Sequence, residues 1–114
     1  MILEEICHEL SAEALTARSK LVREVTGGYA SDLLSCVMSK AQAGNVWVTL
    51  QGHANIVAVA SLLNLAGIII TEGVDPDEAT RAKAEEEGIP LLKTPLTTFA
   101  VVSKLAQLSL HGVD

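Results

Sequence analysis

The sequence alternates short, continuous apolar runs with longer segments in which apolar residues recur at helical spacing. The clearest runs are residues 45–50 and 68–71, which are rich in β-branched side chains and apolar on both faces of a strand. The segment between them, residues 56–65, favours a helix over a strand because of its length and its Ala and Leu content. Buried strands that alternate with helices predict an α/β fold with a largely parallel sheet flanked by helices.

The same patterns predict further elements on both sides of this central unit. We expect helices at residues 2–10, 31–44 and 75–87, strands at residues 21–26 and 89–92, a short strand or loop at residues 14–17, and a last helix, capped by Thr97 or Thr98, that carries Phe99, Val102, Leu105 and Leu108. Glycines are expected to end three helices, at Gly44, Gly67 and Gly88. No linker, repeat or low-complexity segment divides the sequence, so we predict a single compact domain over residues 1–114.

The composition predicts an aliphatic core and an oligomer. Apolar residues make up 49% of the sequence but aromatic residues only 3%, so the core must be built from Val, Ile, Leu and Ala. A domain of this size has little interior in which to bury so many apolar side chains. We therefore expect part of the apolar surface to be buried against a second copy, as in a homodimer.

The charge and the termini restrict the class of partner and the compartment. The net charge of −6 argues against nucleic acid or an anionic membrane surface as a partner. Cys7 and Cys36 fall in helical segments and are predicted to be buried free thiols. The start of the sequence is acidic, with Glu4 and Glu5, and the longest apolar run is too short to span a bilayer. We therefore expect a cytoplasmic protein.

A pair of glycines offers the first candidate site. Gly27 and Gly28 follow the predicted strand 21–26, and Ser31 or Asp32 could cap the helix that comes next. Backbone N–H groups in such a strand-to-helix turn can bind a phosphate or carboxylate. A tight turn that needs glycine and binds nothing explains the same residues, and it is the favoured interpretation.

Small or polar residues follow four of the predicted strands. Ligands of open parallel sheets bind outside the carboxyl ends of the strands, so these residues predict a polar rim there. The candidate ligand-binding residues are Thr26, Gly27, Gly28, Tyr29, Ser31, Asp32, Gln51, His53, Asn55, Thr71, Glu72 and Thr94.

The sequence contains no convincing catalytic or metal-binding set. His53 lies between a strand and a helix, but no second His or Cys occurs at ligand spacing, so a capping or interface role is favoured. Asp75, Asp77 and Glu78 are explained by the start of a helix, where acidic residues are favourable. We expect no catalytic residue, no metal site and no cofactor.

Four runs carry a resemblance to a known family, namely residues 23–34, 46–49, 55–60 and 88–95. Together they resemble the DRTGG domain over about residues 2–108. The block Thr26-Gly27-Gly28 is present, whereas Glu24-Val25 stands where the name of the family has Asp-Arg. The resemblance implies a fold similar to the N-terminal domain of bacterial HPr kinase/phosphorylase, and a module of the kind found in regulated pyrophosphatases beside CBS domains and in some phosphotransacetylases.

The resemblance also implies a regulatory or assembly module that self-associates, and not a kinase. The phosphate-binding string G-x-x-x-x-G-K-[ST] does not occur in this sequence. The first hypothesis is a non-catalytic regulatory homodimer that binds a nucleotide or another anionic metabolite. The alternative is a structural interaction protein that docks on a partner enzyme, and a weaker third hypothesis is a small enzyme acting through His53 and Asp32.

Overall fold

A five-stranded sheet forms the centre of the computed structural model, which describes residues 1–113. The strands are β1 (Glu13–Ala14), β2 (Gly27–Ala30), β3 (Asn45–Thr49), β4 (Gly67–Ile70) and β5 (Leu91–Lys93). The helices are α1 (Leu3–Glu9), α2 (Leu34–Lys40), α3 (Asn55–Leu63), α4 (Glu78–Glu87) and α5 (Thr98–Gln107), with a 3-10 helix at Arg18–Lys20. The spatial order of the strands is β1-β5-β4-β3-β2.

Strands β2 to β5 are parallel, and β1 pairs antiparallel with β5. Each consecutive pair of parallel strands is neighbouring in space and is joined by one helix. Crossovers of the same hand place successive helices on the same face of a sheet. The prediction of an α/β fold with a largely parallel sheet flanked by helices is confirmed.

The sheet is covered on both faces. Side chains from α2, α3 and α4 pack on one face around the fully buried Trp47 and Ile68, and side chains from α1 and α5 pack on the other around Val46 and Ile69. Both faces of β3 and β4 are buried, which explains why their sequences are continuously apolar. Among residues 1–113, no helix has the length and apolar character needed to cross a membrane.

The strand predicted at residues 21–26 is wrong. That segment forms a turn and a single bridge between Ile2 and Glu24, and the strand starts at the glycines instead of ending there. Gly27 pairs with Asn45 and Gly28 with Val46, so the glycines lie in the sheet. Local propensity disfavours glycine in strands, and contacts between distant segments override it here.

Two of the three predicted helix ends are also wrong. Gly88 ends α4 with φ +71, as predicted, but α2 ends before Gly44 and α3 ends before Gly67. Asn64 takes the left-handed conformation that closes α3, with φ 58. Thr97 caps α5, because its side-chain oxygen accepts a hydrogen bond from the Ala100 N–H at 3.2 Å.

Both cysteines are free thiols, as expected, but they are half-buried and not fully buried. Cys7 lies in α1 and its thiol donates to the Ala12 carbonyl oxygen at 3.2 Å. Burial raises the pKa of the Cys7 thiol, and the nearby Glu4 carboxylate adds to the effect.

Candidate functional site

The carboxyl ends of the parallel strands meet at one edge of the sheet, which we call the carboxyl edge. Its loops are residues 31–33, 50–54, 71–77 and 94–97, which follow β2, β3, β4 and β5. The predicted site residues that the structure brings to this edge are Ser31, Asp32, Gln51, His53, Asn55, Thr71, Glu72 and Thr94. Whether they bind a ligand stays a prediction.

Fully buried threonines stand at the ends of three strands and hold the loops together. The Thr71 hydroxyl lies 2.7 Å from the Thr98 hydroxyl at the start of α5. The Thr94 hydroxyl donates to the Leu10 carbonyl oxygen at 3.2 Å. These hydroxyls are occupied inside the protein, and their role in the structure is to position loops.

Asp32 joins the loop after β2 to the loop after β3. Its Oδ1 accepts hydrogen bonds from the Thr49 hydroxyl at 2.7 Å and from the Leu50 N–H at 2.9 Å. The Gln51 side-chain amide donates to the Asp32 carbonyl oxygen. The expected helix cap is wrong, because Leu33 is the N-cap of α2, with no side-chain cap, and Ser31 accepts from the Leu33 N–H at 3.1 Å.

Glu72 has a similar function on the other side of the edge. Its backbone takes the left-handed conformation, with φ 62, and its Oε2 accepts from the Thr98 N–H at 2.8 Å. Nearby, Lys93 and Asp75 form an ion pair, and the hydrogen bond from Lys93 lowers the pKa of the exposed Asp75 carboxyl. The carboxylates at this edge therefore serve as acceptors for backbone and lysine donors.

His53 is exposed, and its Nδ1 accepts from the Asn55 N–H at 3.2 Å, next to the start of α3. Within the described chain it has no hydrogen bond to Asp32, the partner that the enzyme hypothesis requires. No group of three or more His, Cys, Asp or Glu side chains in residues 1–113 could hold a metal ion.

The structure places Thr26, Gly27 and Gly28 at the opposite edge of the sheet. Gly27 pairs with Asn45, which is the first residue of β3, so the glycines lie at the amino end and not at the predicted carboxyl end. The Thr26 hydroxyl donates to the Ala43 carbonyl oxygen at 3.1 Å. The expected strand-to-helix turn is thus absent here, because the glycines begin a strand.

The last described residues, 109–113, form a tail that runs beside β2. The Gly28 N–H donates to the His111 carbonyl oxygen at 3.0 Å. Between β2, α5 and the tail lies a small apolar cavity of about 210 Å³ whose lining includes Tyr29, Val102 and Leu110. Tyr29, the remaining predicted site residue, therefore belongs to this cavity and not to the carboxyl edge.

The sequence also failed to indicate two surface features. One is a groove of about 870 Å³ between residues 15–19 and α4. The other is a set of exposed apolar side chains near the carboxyl edge, namely Leu33, Leu50, Phe99 and Val102. Phe99 is 85% exposed, because the buried side of α5 is formed by Val101 and Leu105.

Fold and site together define a small α/β module whose carboxyl-edge polar groups mainly bind the loops of the domain itself. A family model described as the DRTGG domain matches residues 5–108. The chain therefore belongs to the DRTGG domain family, which confirms the resemblance seen in the sequence. Similarity to the N-terminal domain of HPr kinase stays a prediction, as does the extension of the single domain to both ends of residues 1–114.

A solved structure of similar fold contains the CBS and DRTGG domains of the regulatory region of a Clostridium perfringens pyrophosphatase, in complex with the activator diadenosine tetraphosphate. The TM-score is 0.74 at 24% sequence identity, and the match covers 99% of this chain and 48% of that chain. The present chain thus spans about half the length of that solved chain. The comparison with curated proteins gave no significant match.

Proposed function

We propose that this protein is a regulatory module without catalytic activity of its own, which binds a nucleotide or another anionic metabolite and transmits its presence to a partner protein. The observation that carries the proposal is the match of nearly the whole chain to a regulatory region that was solved with a nucleotide activator. Membership of the DRTGG domain family supports the same role.

The hydrogen bonds of the carboxyl edge support a module over an enzyme. Asp32 and Glu72 use their carboxylates to accept from neighbouring loops, and His53 accepts from Asn55. A His–carboxylate pair that acts as a general base needs the two side chains within hydrogen-bond reach, and within the described residues His53 and Asp32 are not hydrogen-bonded to each other. The hypothesis of a small enzyme acting through His53 and Asp32 therefore has the least support.

The ligand part is tested by thermal shift and calorimetry with the full chain. The panel contains AMP, ATP, diadenosine tetraphosphate, coenzyme A esters and phosphosugars, with sodium sulfate at matched ionic strength as the control. A saturating ligand stabilises the folded state according to its concentration relative to Kd, so we expect a concentration-dependent rise in Tm with at least one of them. If none raises Tm beyond the sulfate control, the ligand-sensing role is rejected.

We further propose that the protein forms a homodimer, in which a second copy of the chain covers the exposed apolar surface. Phe99 and Val102 project from α5, while Leu33 and Leu50 lie in the loops after β2 and β3. Exposed aromatic side chains of this kind are typical anchors of interfaces. A monomer that enters a stable complex with an enzyme on co-purification would instead favour the alternative of docking on a partner.

A cytoplasmic location stays a prediction.

A further inference from the structure

A groove lies at the border of the sheet opposite β2, beside β1 and β5. One wall is the segment after β1, and the other is one side of α4 from Glu78 to Glu85 together with Pro76, two residues before the helix. Its lining includes Leu15, Arg18, Pro76, Glu78, Arg81 and Glu85. Its volume of about 870 Å³ falls in the range of sites for small-molecule ligands.

The two walls are fixed relative to each other by buried or short hydrogen bonds. The Ala17 N–H donates to Glu85 Oε2 at 2.6 Å, which joins the first wall to α4 directly. The buried Thr16 hydroxyl donates to the Ile89 carbonyl oxygen at 2.7 Å and accepts from the Leu91 N–H at 3.0 Å. The groove is therefore a formed feature of the fold and does not depend on a mobile loop.

Arginines on both walls supply the positive charge. Arg18 stands on the first wall and Arg81 on α4, and these are two of the three arginines in the sequence. In residues 1–113 the ion pairs join Met1 with Glu24, Lys83 with Glu87 and Lys93 with Asp75, so neither groove arginine is paired with a carboxylate. A guanidinium group presents planar donors that match a phosphate.

The rest of the lining indicates what else the ligand must carry. Leu15, Ala17, Pro76 and Ala82 give the groove an apolar part that suits a flat ring. Glu85 is engaged with Ala17, whereas Glu78 has no hydrogen bond among the described contacts and remains an acceptor for hydroxyl or amino groups. A phosphate without an attached nucleoside would have no sugar hydroxyl or amino group to donate to this carboxylate.

We propose that the groove between residues 15–19 and α4 binds a nucleoside phosphate, with the phosphates on Arg18 and Arg81, the base on the apolar part and a ribose or base donor on Glu78. This inference rests on the proposed ligand-sensing function and moves its site away from the carboxyl edge. None of the predicted site residues at the carboxyl edge is a lysine or arginine, and the nearby Lys93 is paired with Asp75, so the groove arginines are the better partners for a phosphate.

The test combines calorimetry and amide chemical-shift mapping on the full chain, with ATP as the probe. We expect shifts at residues 15–19 and along the first two turns of α4, and a loss of affinity of at least tenfold in Arg18→Gln and in Arg81→Gln. Lys104→Gln removes the same charge from the exposed side of α5 and is the matched control, with less than a threefold effect expected. Inorganic triphosphate should bind at least tenfold more weakly than ATP, since it lacks the base and the ribose.

The outcomes separate this inference from the function on which it rests. ATP binding that shifts the amides of the carboxyl edge and is unchanged by both arginine substitutions overturns the groove but leaves the ligand-sensing role intact. Equal affinities for inorganic triphosphate and ATP would contradict the nucleoside part of the proposal. If ATP does not bind, the groove proposal is overturned, and the thermal-shift panel decides independently whether the sensing role survives.

Discussion

Gly27 and His111 approach so closely that a β-carbon added to Gly27 would lie 2.6 Å from the His111 carbonyl oxygen. The contact joins the first residue of β2 to the tail, and the next residue, Gly28, donates its N–H to the same oxygen. The first glycine of the pair that marks the family is thus explained by packing against the tail. At position 27, glycine is suited because the backbone of the tail comes close. Neither Gly27 nor Gly28 has a positive φ angle.

Gly27→Ala should lower the free energy of unfolding by about 1–3 kcal/mol, because the added methyl group must displace the tail backbone. Gly28→Ala is the matched control, since its added β-carbon would meet Val46 at an ordinary 3.8 Å. We expect Gly28→Ala to change stability by less than about 0.5 kcal/mol. Chemical denaturation of both variants measures the difference.

Shortening the chain after Leu110 tests the same contact in a second way. In this background the His111 carbonyl oxygen is gone, so Gly27→Ala should cost much less than in the full chain. A double-mutant cycle gives the coupling between the substitution and the tail. Equal costs in the two backgrounds would show that the tail is not the reason for the glycine.

Asp32→Ala should destabilise the protein by about 1–3 kcal/mol, because the buried Thr49 hydroxyl loses its acceptor and the Leu50 N–H loses its partner. Asp32→Asn keeps an oxygen at the same position and should retain most of the stability. Urea denaturation provides the measurement. A smaller loss for alanine than for asparagine would contradict a positioning role for this carboxylate.

Phe99→Ser should weaken the proposed homodimer at least tenfold, since it removes the most exposed large apolar side chain of the described residues. Leu62→Ser is the control, because Leu62 is 70% exposed but lies on α3, which covers the other face of the sheet. Light scattering over a range of concentrations gives the mass of each variant. A dimer sensitive to Leu62→Ser and not to Phe99→Ser would place the interface on the α3 side.

The Cys7 thiol should make stability depend on alkaline pH. Its pKa is raised in the folded protein, so folding favours the protonated thiol. The contribution is fully present below the ordinary thiol pKa of about 8.5 and is lost as the pH rises through the higher pKa of the folded state. In a Cys36→Ser background, the free energy of unfolding should fall between pH 8 and 10 more steeply with Cys7 than with Cys7→Ala. Parallel slopes for the two proteins would rule out this linkage.

The elements that could be predicted from sequence are those whose pattern is local. Strands β3 and β4 are runs of β-branched and other apolar residues, and α4 has its acidic start and its closing Gly88. The start of β2 at Gly27 could not be predicted, because it depends on pairing with Asn45 of β3 and on the close approach of His111, both distant in the sequence. The exposure of Phe99 could not be predicted either, because helical spacing alone does not tell which of two apolar stripes of α5 faces the sheet.

The candidate site, too, could be predicted from the sequence only in part. Residues after β3, β4 and β5 were correctly expected at one edge, because parallel strands bring their carboxyl ends together. The groove with Arg18 and Arg81 left no signal in the sequence. Its walls meet only because β1 pairs with β5 and so carries the first wall to the side of α4.

The tail beside β2 has a consequence for how the protein behaves in concentrated solution. β2 is the last strand of the sheet, and an uncovered border strand is a template onto which another chain can add by backbone hydrogen bonding. The strand is only four residues long, and the tail occupies one of its free N–H groups. The tail, for which Gly27 makes room, therefore leaves less of this border strand open to the addition of another chain.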